Sequence, residues 1–211
     1  MNPTRIVIMA KAPVPGFCKT RLIPYLGADK AAHLARKMLS HTCREALHAD
    51  VGPVELCVTP PPNSESWKNN PASEAVPQSV QWSAQCEGDL GQRLADICQR
   101  AIQQKEHCLM IGTDCPELRA SHLQQASAAL VHHDASLIPV DDGGYILLGV
   151  KRFLPSLFAN MAWSTADVYA LTVERMQAAH WRVWEGDILH DIDRAQDLRW
   201  LPQNWPEREL I

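Results

Sequence analysis

Lys11, Lys19 and Arg21 bring three cations into one short connection, Met9-Ala-Lys-Ala-Pro-Val-Pro-Gly-Phe-Cys-Lys-Thr-Arg-Leu22. Cations converging from a stiff loop suit a phosphate or pyrophosphate, because charge-assisted hydrogen bonds from Lys and Arg hold phosphate oxygens well. Pro13 and Pro15 restrict this backbone, and Gly16 permits a sharp bend. The plain alternative is a solvated Pro-rich connection that collects charge as loops do. Spacing excludes a P-loop. Cys18 precedes Lys19-Thr20 where a glycine is required, and the other glycine position falls at Pro13, which has no N–H. A Walker cradle works through successive backbone N–H groups, so phosphate binding here must rest on side chains. The three closely spaced glycines of a dinucleotide fingerprint are missing too.

Asp114 ends the run Cys108-Leu-Met-Ile-Gly-Thr-Asp114, and Cys115-Pro116 follows it. An acid at the carboxyl end of a strand is well placed to hold Mg2+ against a ligand's phosphates. That ion takes one or two protein carboxylates and completes its shell with phosphate and water. The plain alternative is an Asp turn or helix cap, although Pro116 and Ser121 already supply that punctuation. Asp191, in His190-Asp191-Ile192-Asp193, offers a second carboxylate to the metal. Asp141-Asp142-Gly143-Gly144 reads as the Asp-Gly turn of a hairpin. It reads equally as a loop whose glycines admit a substrate while Asp141 or Asp142 meets a hydroxyl or metal, and the two readings are compatible. Arg93 joins the cations if the start of its helix lies beside the first loop.

Strands and helices must bring these residues together. Ile6-Val7-Ile8 is a strand that feeds the cationic loop, and Ala28 to Ala49 is an amphipathic helix with Ala31, Leu34, Ala35, Met38, Leu39 and Ala46 close to one face. This strand, loop, helix order is how α/β proteins hold ligands, at the carboxyl ends of strands. Val54–Thr59 is a second strand and Val80–Trp82 a weak third. Between them a Pro-rich polar stretch to Pro77 reads as a mobile flap or a surface excursion. Asp89 and Gln92 have capping-box spacing before a helix whose stripe is Leu90, Leu94, Ile97, Cys98, Ala101 and Ile102. Ser121 with Gln124 and Asp193 with Gln196 repeat that spacing. Leu137–Val140, Tyr145–Val150 and Trp181–Trp184 complete the strands, and Ser164 or Thr165 caps a helix running to Ala179.

With 211 residues the chain is read as a single domain, 1–211, with a substantial core. A formal net charge of -4 argues against general nucleic-acid binding. No apolar run approaches the ~20 residues of a membrane span, so membrane insertion is not expected. The N-terminus enters a strand without a signal peptide's apolar region. Seven scattered cysteines without a Cys-x-x-Cys pair read as reduced thiols, and a cytoplasmic location follows. Cys115 lies near the site, but nothing marks it as a nucleophile. The histidines lack metal-ligand spacing, and the Trp residues read as packing groups.

Taken together, the first loop with Lys19-Thr20-Arg21-Leu22, Gly88-Asp89-Leu90-Gly91, Gly112-Thr113-Asp114-Cys115-Pro116, Asp142-Gly143-Gly144-Tyr145, Trp163-Ser164-Thr165 and Asp191-Ile192-Asp193 resemble one family. It is the radical-SAM/selenodomain-associated transferase 1 family (domain of unknown function 2064), of the GT-A-like superfamily of glycosyltransferases and nucleotidyltransferases. The resemblance covers nearly the whole chain. It implies a three-layer α/β/α sandwich around a mostly parallel central sheet. It implies a nucleotide held by the first loop, and on the residue reading Lys11, Gly16 and Arg93 are expected on the substrate. It further implies Lys19 and Arg21 on phosphates, Mg2+ or Mn2+ at Asp114, and Asp142, Gly143, Gly144 and Tyr145 on the acceptor side; Asp191 is expected as the second metal carboxylate. Many GT-A glycosyltransferases carry Asp-x-Asp at the metal, but here Gly112 and Pro116 flank Asp114 at those positions. That is closer to the nucleotidyltransferase arrangement.

The expected function is metal-dependent transfer from a nucleotide-activated substrate to a small-molecule acceptor, nucleotidyl transfer being favoured over glycosyl transfer, with Lys19, Arg21, Asp114 and Asp142 catalytic. Glycosyl transfer from a nucleotide-sugar donor and non-catalytic nucleotide binding are the alternatives. Base, sugar, acceptor and oligomeric state are not readable from these residues.

Overall fold

Alternating apolar residues in the first strand decide the layering. In β1 (Thr4–Lys11), Ile6 and Ile8 enter one core and Val7 enters the other, and all three are buried. Burying each such side chain contributes about 1.5–3 kcal/mol. A strand that is apolar on both faces needs helices on both faces. The computed structural model, which describes residues 2–210, supplies them. On the Ile6/Ile8 face lie α2 (Ala28–Ala49), through Leu39, Cys43 and Ala46, and α6 (Ala120–Ala129), through Leu123 and Ala126. On the Val7 face lie α5 (Leu90–Gln103), through Leu94, Ile97 and Ala101, and α7 (Val168–Ala178), through Met176. This is the three-layer α/β/α sandwich.

The sheet has seven strands in the order β3-β2-β1-β4-β6-β5-β7. The others are β2 (Val54–Thr59), β3 (Gln81–Ala84), β4 (His107–Ile111), β5 (Ala135–Pro139), β6 (Tyr145–Val150) and β7 (Val183–Glu185). All neighbours pair in parallel except β6, which runs against both β4 and β5. From β1 the chain turns to β2 on one side, whereas β4 lies on β1's other side. Open α/β sheets bind ligands where the order reverses in this way, outside the strands' carboxyl ends. Lys11 ends β1 and Ile111 ends β4 at that place. A third core joins Leu22, Leu26 of α1 (Ile23–Leu26), Leu34 and Met38 to Ile192, Leu198 and Trp205, packing the first loop's exit against the carboxyl-terminal segment.

The stretch from 60 to 77 is a surface excursion. It contains α3 (Glu65–Lys68) and α4 (Pro71–Ala75), and Trp67 pins it with 1% exposure and an Nε1–H that donates to the Pro60 carbonyl at 2.9 Å. The Asp89–Gln92 capping box forms with both bonds, at 2.8 and 2.9 Å. Three other caps differ from the sequence reading. At α6 the chain enters through Arg119, whose N–H donates to His122 Nδ1, while Glu45 accepts the Ala120 N–H at 2.8 Å, so Ser121 lies inside the first turn. Neither Ser164 nor Thr165 caps α7, which begins at Val168; the Thr165 hydroxyl donates to the Ala162 carbonyl instead. Near residue 193 the capping carboxylate is Asp197, accepting from Asp193 N and Arg194 N, and Asp193 turns elsewhere. Leu90, expected in a buried stripe, is 40% exposed and faces the cleft described below.

Candidate active site

The first loop and the segment after β4 leave adjacent parallel strands, so Lys19 and Asp114 meet. Lys19 Nζ lies 3.0 Å from Asp114 Oδ1 and also donates to the Ile192 carbonyl. Its side chain is only 6% exposed, whereas that of Asp114 is 47% exposed. Lys19 takes the left-handed conformation, φ 46, which a non-glycine residue adopts uncommonly and which surrounding contacts must hold. The Ile192 N–H donates to the Asp114 carbonyl at 2.8 Å. Glu117 Oε2 accepts from His190 N at 3.0 Å and lies 2.9 Å from its Nδ1. The segment 190–193 is therefore fastened to the 114–117 turn at two points and to the first loop through Lys19.

Arg21 pairs with Asp193 at the exposed edge of the same region. Lys11, Lys19, Arg21 and Arg93 line one cleft of about 540 Å³ together with Asp114, Asp193, Thr59 and Gln85. Arg93 is held at its rim by bonds from Nη1 to Gln85 Oε1 and from Nε to the Gly88 carbonyl, both 3.1 Å. The four predicted cations thus share a cleft with the predicted acid. Gly16 does not line it; with φ +83 it shapes the turn that carries Phe17 and Cys18 to the rim.

Adjoining this cleft, and sharing Met9, Leu90, Gly112 and Asp114 with it, is a second cavity of about 400 Å³, where Asp142 and Asp191 join the lining with Leu94, Met110, Ile146, Trp163 and Val168. The turn carrying Asp142 is a hairpin, with Val140 N bonded to the Gly144 carbonyl and Asp142 Oδ1 accepting the Gly144 N–H at 2.9 Å. Gly143 has φ +88, and a Cβ there would lie 2.1 Å from the Ala166 carbonyl oxygen. It seats the hairpin against the 163–167 loop, and no other residue fits that contact without movement. Gly144 and Tyr145 line the cavity; burial pushes the Tyr145 hydroxyl up to about 12 beside Thr172. Gly91 has the same kind of role: a Cβ there would meet the Phe158 carbonyl at 2.3 Å and Trp163 Nε1 at 2.8 Å.

Asp191 is the most perturbed acid of the group. Burial and the charges of Asp142, Asp114 and Asp193 push its carboxyl up to about 6, with Lys19 opposing. A carboxylate cluster so incompletely neutralised is chemically suited to a hard divalent cation. Asp114 keeps capacity for one, because the polar contacts of its carboxylate fall on Oδ1, from Lys19 and from Thr113 Oγ1 at 3.3 Å. Among the described residues no three His, Cys, Asp or Glu side chains converge to cage an ion unaided. Asp114 and Asp191 would offer a divalent cation two carboxylates, with ligand oxygens and water left to complete its shell.

Sequence reasoning did not find Asp193, Gln85 or the Ile192 carbonyl as parts of the site. Asp193 carried a misleading cap spacing, and the other two give no local signal. Cys115 is buried, and its thiol is pushed up to about 12, which makes it inert at neutral pH. All seven cysteines are free thiols. Among the described residues no helix is long and apolar enough to cross a membrane.

The fold is that of the nucleotide-diphospho-sugar transferase and nucleotidyltransferase class. The chain belongs to the family described as "Uncharacterized protein conserved in bacteria (DUF2064)", whose model matches residues 42–165. It is 30% identical to a Desulfovibrio desulfuricans protein provisionally named a nucleotide-diphospho-sugar transferase, with a TM-score of 0.88 over 100% of this chain and 94% of that one. CMP:2-keto-3-deoxy-manno-octonic acid synthetase, solved with CTP, has a TM-score of 0.58 at 11% identity, over 94% of this chain and 96% of that one. Rv0371c from Mycobacterium tuberculosis, solved with manganese, has a TM-score of 0.52 at 16% identity, over 97% and 100%. No curated protein matches the chain.

Proposed function

We propose that this protein is a metal-dependent nucleotidyltransferase that binds a nucleoside triphosphate in the cationic cleft and a small acceptor in the adjoining cavity. One observation carries the reading: Lys11, Lys19, Arg21 and Arg93 share a cleft with Asp114, and Asp114 also faces the second cavity. The relatives solved with CTP and with manganese lend the same reading support.

Lys11, Arg21 and Arg93 bind the phosphates and stabilise the charge that develops on pyrophosphate as it leaves. Lys19, buried and already bonded to Asp114, acts as a positioning residue more than as a direct phosphate ligand. It fixes the Asp114 carboxylate and keeps a compensating charge beside it. A divalent cation held by Asp114 and Asp191 would supply further charge neutralisation at the phosphates. Asp142, held by the Gly144 N–H, faces the acceptor and takes its proton. Holding the two substrates in adjoining sites that share Asp114 supplies the orientation on which such a transfer depends.

A second reading, glycosyl transfer, draws on the provisional name of the Desulfovibrio relative; the same cations would then support a departing nucleoside diphosphate. Thermal-shift titration with nucleoside triphosphates and nucleotide sugars, with and without Mn2+, tests binding. Release of pyrophosphate against nucleoside diphosphate then separates the two chemistries. Asp114→Ala should lower metal-dependent turnover by at least about a hundredfold while leaving the circular dichroism spectrum unchanged. Full activity in that variant removes the central assignment, and binding without turnover across a broad acceptor panel leaves only a nucleotide-binding protein.

A further inference from the structure

The charges around Asp114 are divided unequally. The larger cleft holds four cations, whereas no Lys, Arg or His lines the 400 Å³ cavity, whose charged groups are Asp114, Asp142 and Asp191. Its remaining lining is dominated by apolar side chains, among them Met9, Leu94, Met110, Ile146 and Val168. Even with a divalent cation at Asp114 and Asp191, the three carboxylates outweigh its charge, and a phosphate in this second cavity would find no lining side-chain cation to meet it. A polyhydroxylated sugar would leave hydroxyls unpaired against the methionine, leucine and isoleucine side chains, which costs free energy for each. An apolar body would instead bury its surface there, and a single hydroxyl could meet the carboxylates. The volume lies within the range of small-molecule pockets.

We infer that the acceptor is an uncharged alcohol with an apolar body, its hydroxyl directed to the carboxylates and its hydrocarbon packed toward Leu94, Met110 and Val168. This rests on assigning the cationic cleft to the nucleotide. In the transfer, the alcohol oxygen forms a bond to the α-phosphorus. The bond from that phosphorus to the β-phosphate's bridging oxygen breaks, and pyrophosphate leaves with the electron pair. The hydroxyl proton passes to Asp142 and then to solvent. The product is a nucleoside monophosphate ester of the alcohol.

Ligand-observed NMR on the full chain, with and without CTP and Mn2+, tests this with two probe sets: the straight-chain alcohols from 1-hexanol to 1-decanol, and glucose 1-phosphate. Affinity for the alcohols should tighten about fourfold per added methylene until the cavity is full, the step expected from burying one CH2. Val168→Phe should abolish alcohol binding by filling the cavity. Thr165→Trp, at an exposed position on its mouth, should do the same if the first variant is unstable. Both should keep the wild-type thermal shift with nucleotides. A flat chain-length series, alcohol binding unaffected by either variant, or preferential binding of glucose 1-phosphate overturns the inference while nucleotide shifts leave the proposed function standing. Absence of any nucleotide shift overturns the proposed function and, with it, the transfer step.

Discussion

Replacing Asp191 with Asn should stabilise the metal-free protein at neutral pH. Its carboxyl sits among Asp142 from the hairpin turn, Asp114 from the end of β4 and its own neighbour Asp193, with Lys19 of the first loop as the opposing charge. Moving a carboxyl from 3.8 to about 6 corresponds to about 3 kcal/mol at about 1.4 kcal/mol per pH unit. Because Asp191 retains solvent access, about 1–3 kcal/mol is the appropriate range. The sign follows from proton binding. Between pH 4 and 6 the folded protein holds this proton more tightly than the unfolded chain, so stability falls as pH rises through that window and stays lower above it. Asn carries no charge, so its advantage should be near zero at pH 4 and level off above pH 6. No hydrogen bond from the Asp191 carboxylate is lost in the exchange among the described residues. Urea unfolding followed by Trp fluorescence at pH 4, 5, 6 and 7.5 in low salt reads the difference directly. Mn2+ should stabilise the wild type more at pH 7.5 than at pH 5, and should stabilise the variant less. An Asn variant that is equally or less stable at pH 7.5, or whose gain does not change with pH, refutes the reasoning.

Gly143→Ala places a methyl 2.1 Å from the Ala166 carbonyl at φ +88, and should cost about 1–3 kcal/mol; differential scanning calorimetry should show Tm lowered by several degrees. Arg5→Met breaks a buried network at the opposite end of the sheet, where Arg5 and Glu55 are 8% and 4% exposed. Glu106, Gln81 and Gln104 also accept from Arg5. Because Glu55 retains Arg100 and Ser83, the cost should be near the lower end for a broken buried pair, about 3 kcal/mol, read as a lower urea midpoint at constant slope.

The parts of this molecule that follow from local chemistry were legible in its residues. Apolar runs marked the strands, Asp89 with Gln92 marked a real cap, and the spacing around Cys18 ruled out a phosphate cradle of backbone N–H groups. Two capping-box spacings misled because short-range spacing cannot see a distant competitor. Glu45 reaches the start of α6 from α2, and Asp197 occupies the role given to Asp193. The same limit applies to Lys19. Its charge was visible, but its two partners, Asp114 and the Ile192 carbonyl, lie far along the chain and left no local signal. Leu90 fitted the helix period and yet faces the cleft, because its place at the first turn puts it beyond the packed face.

Lys19 and Ile192 are 173 positions apart, and the bond between them has a consequence for synthesis. The first loop is made long before residue 192, so its ammonium group gains the second of its two partners only after Ile192 has been added. Strands β1 to β4 can assemble before then, with the loop tethered at one point. Competence to hold an anionic ligand should therefore arrive late, as the segment around Ile192 docks and closes the clasp.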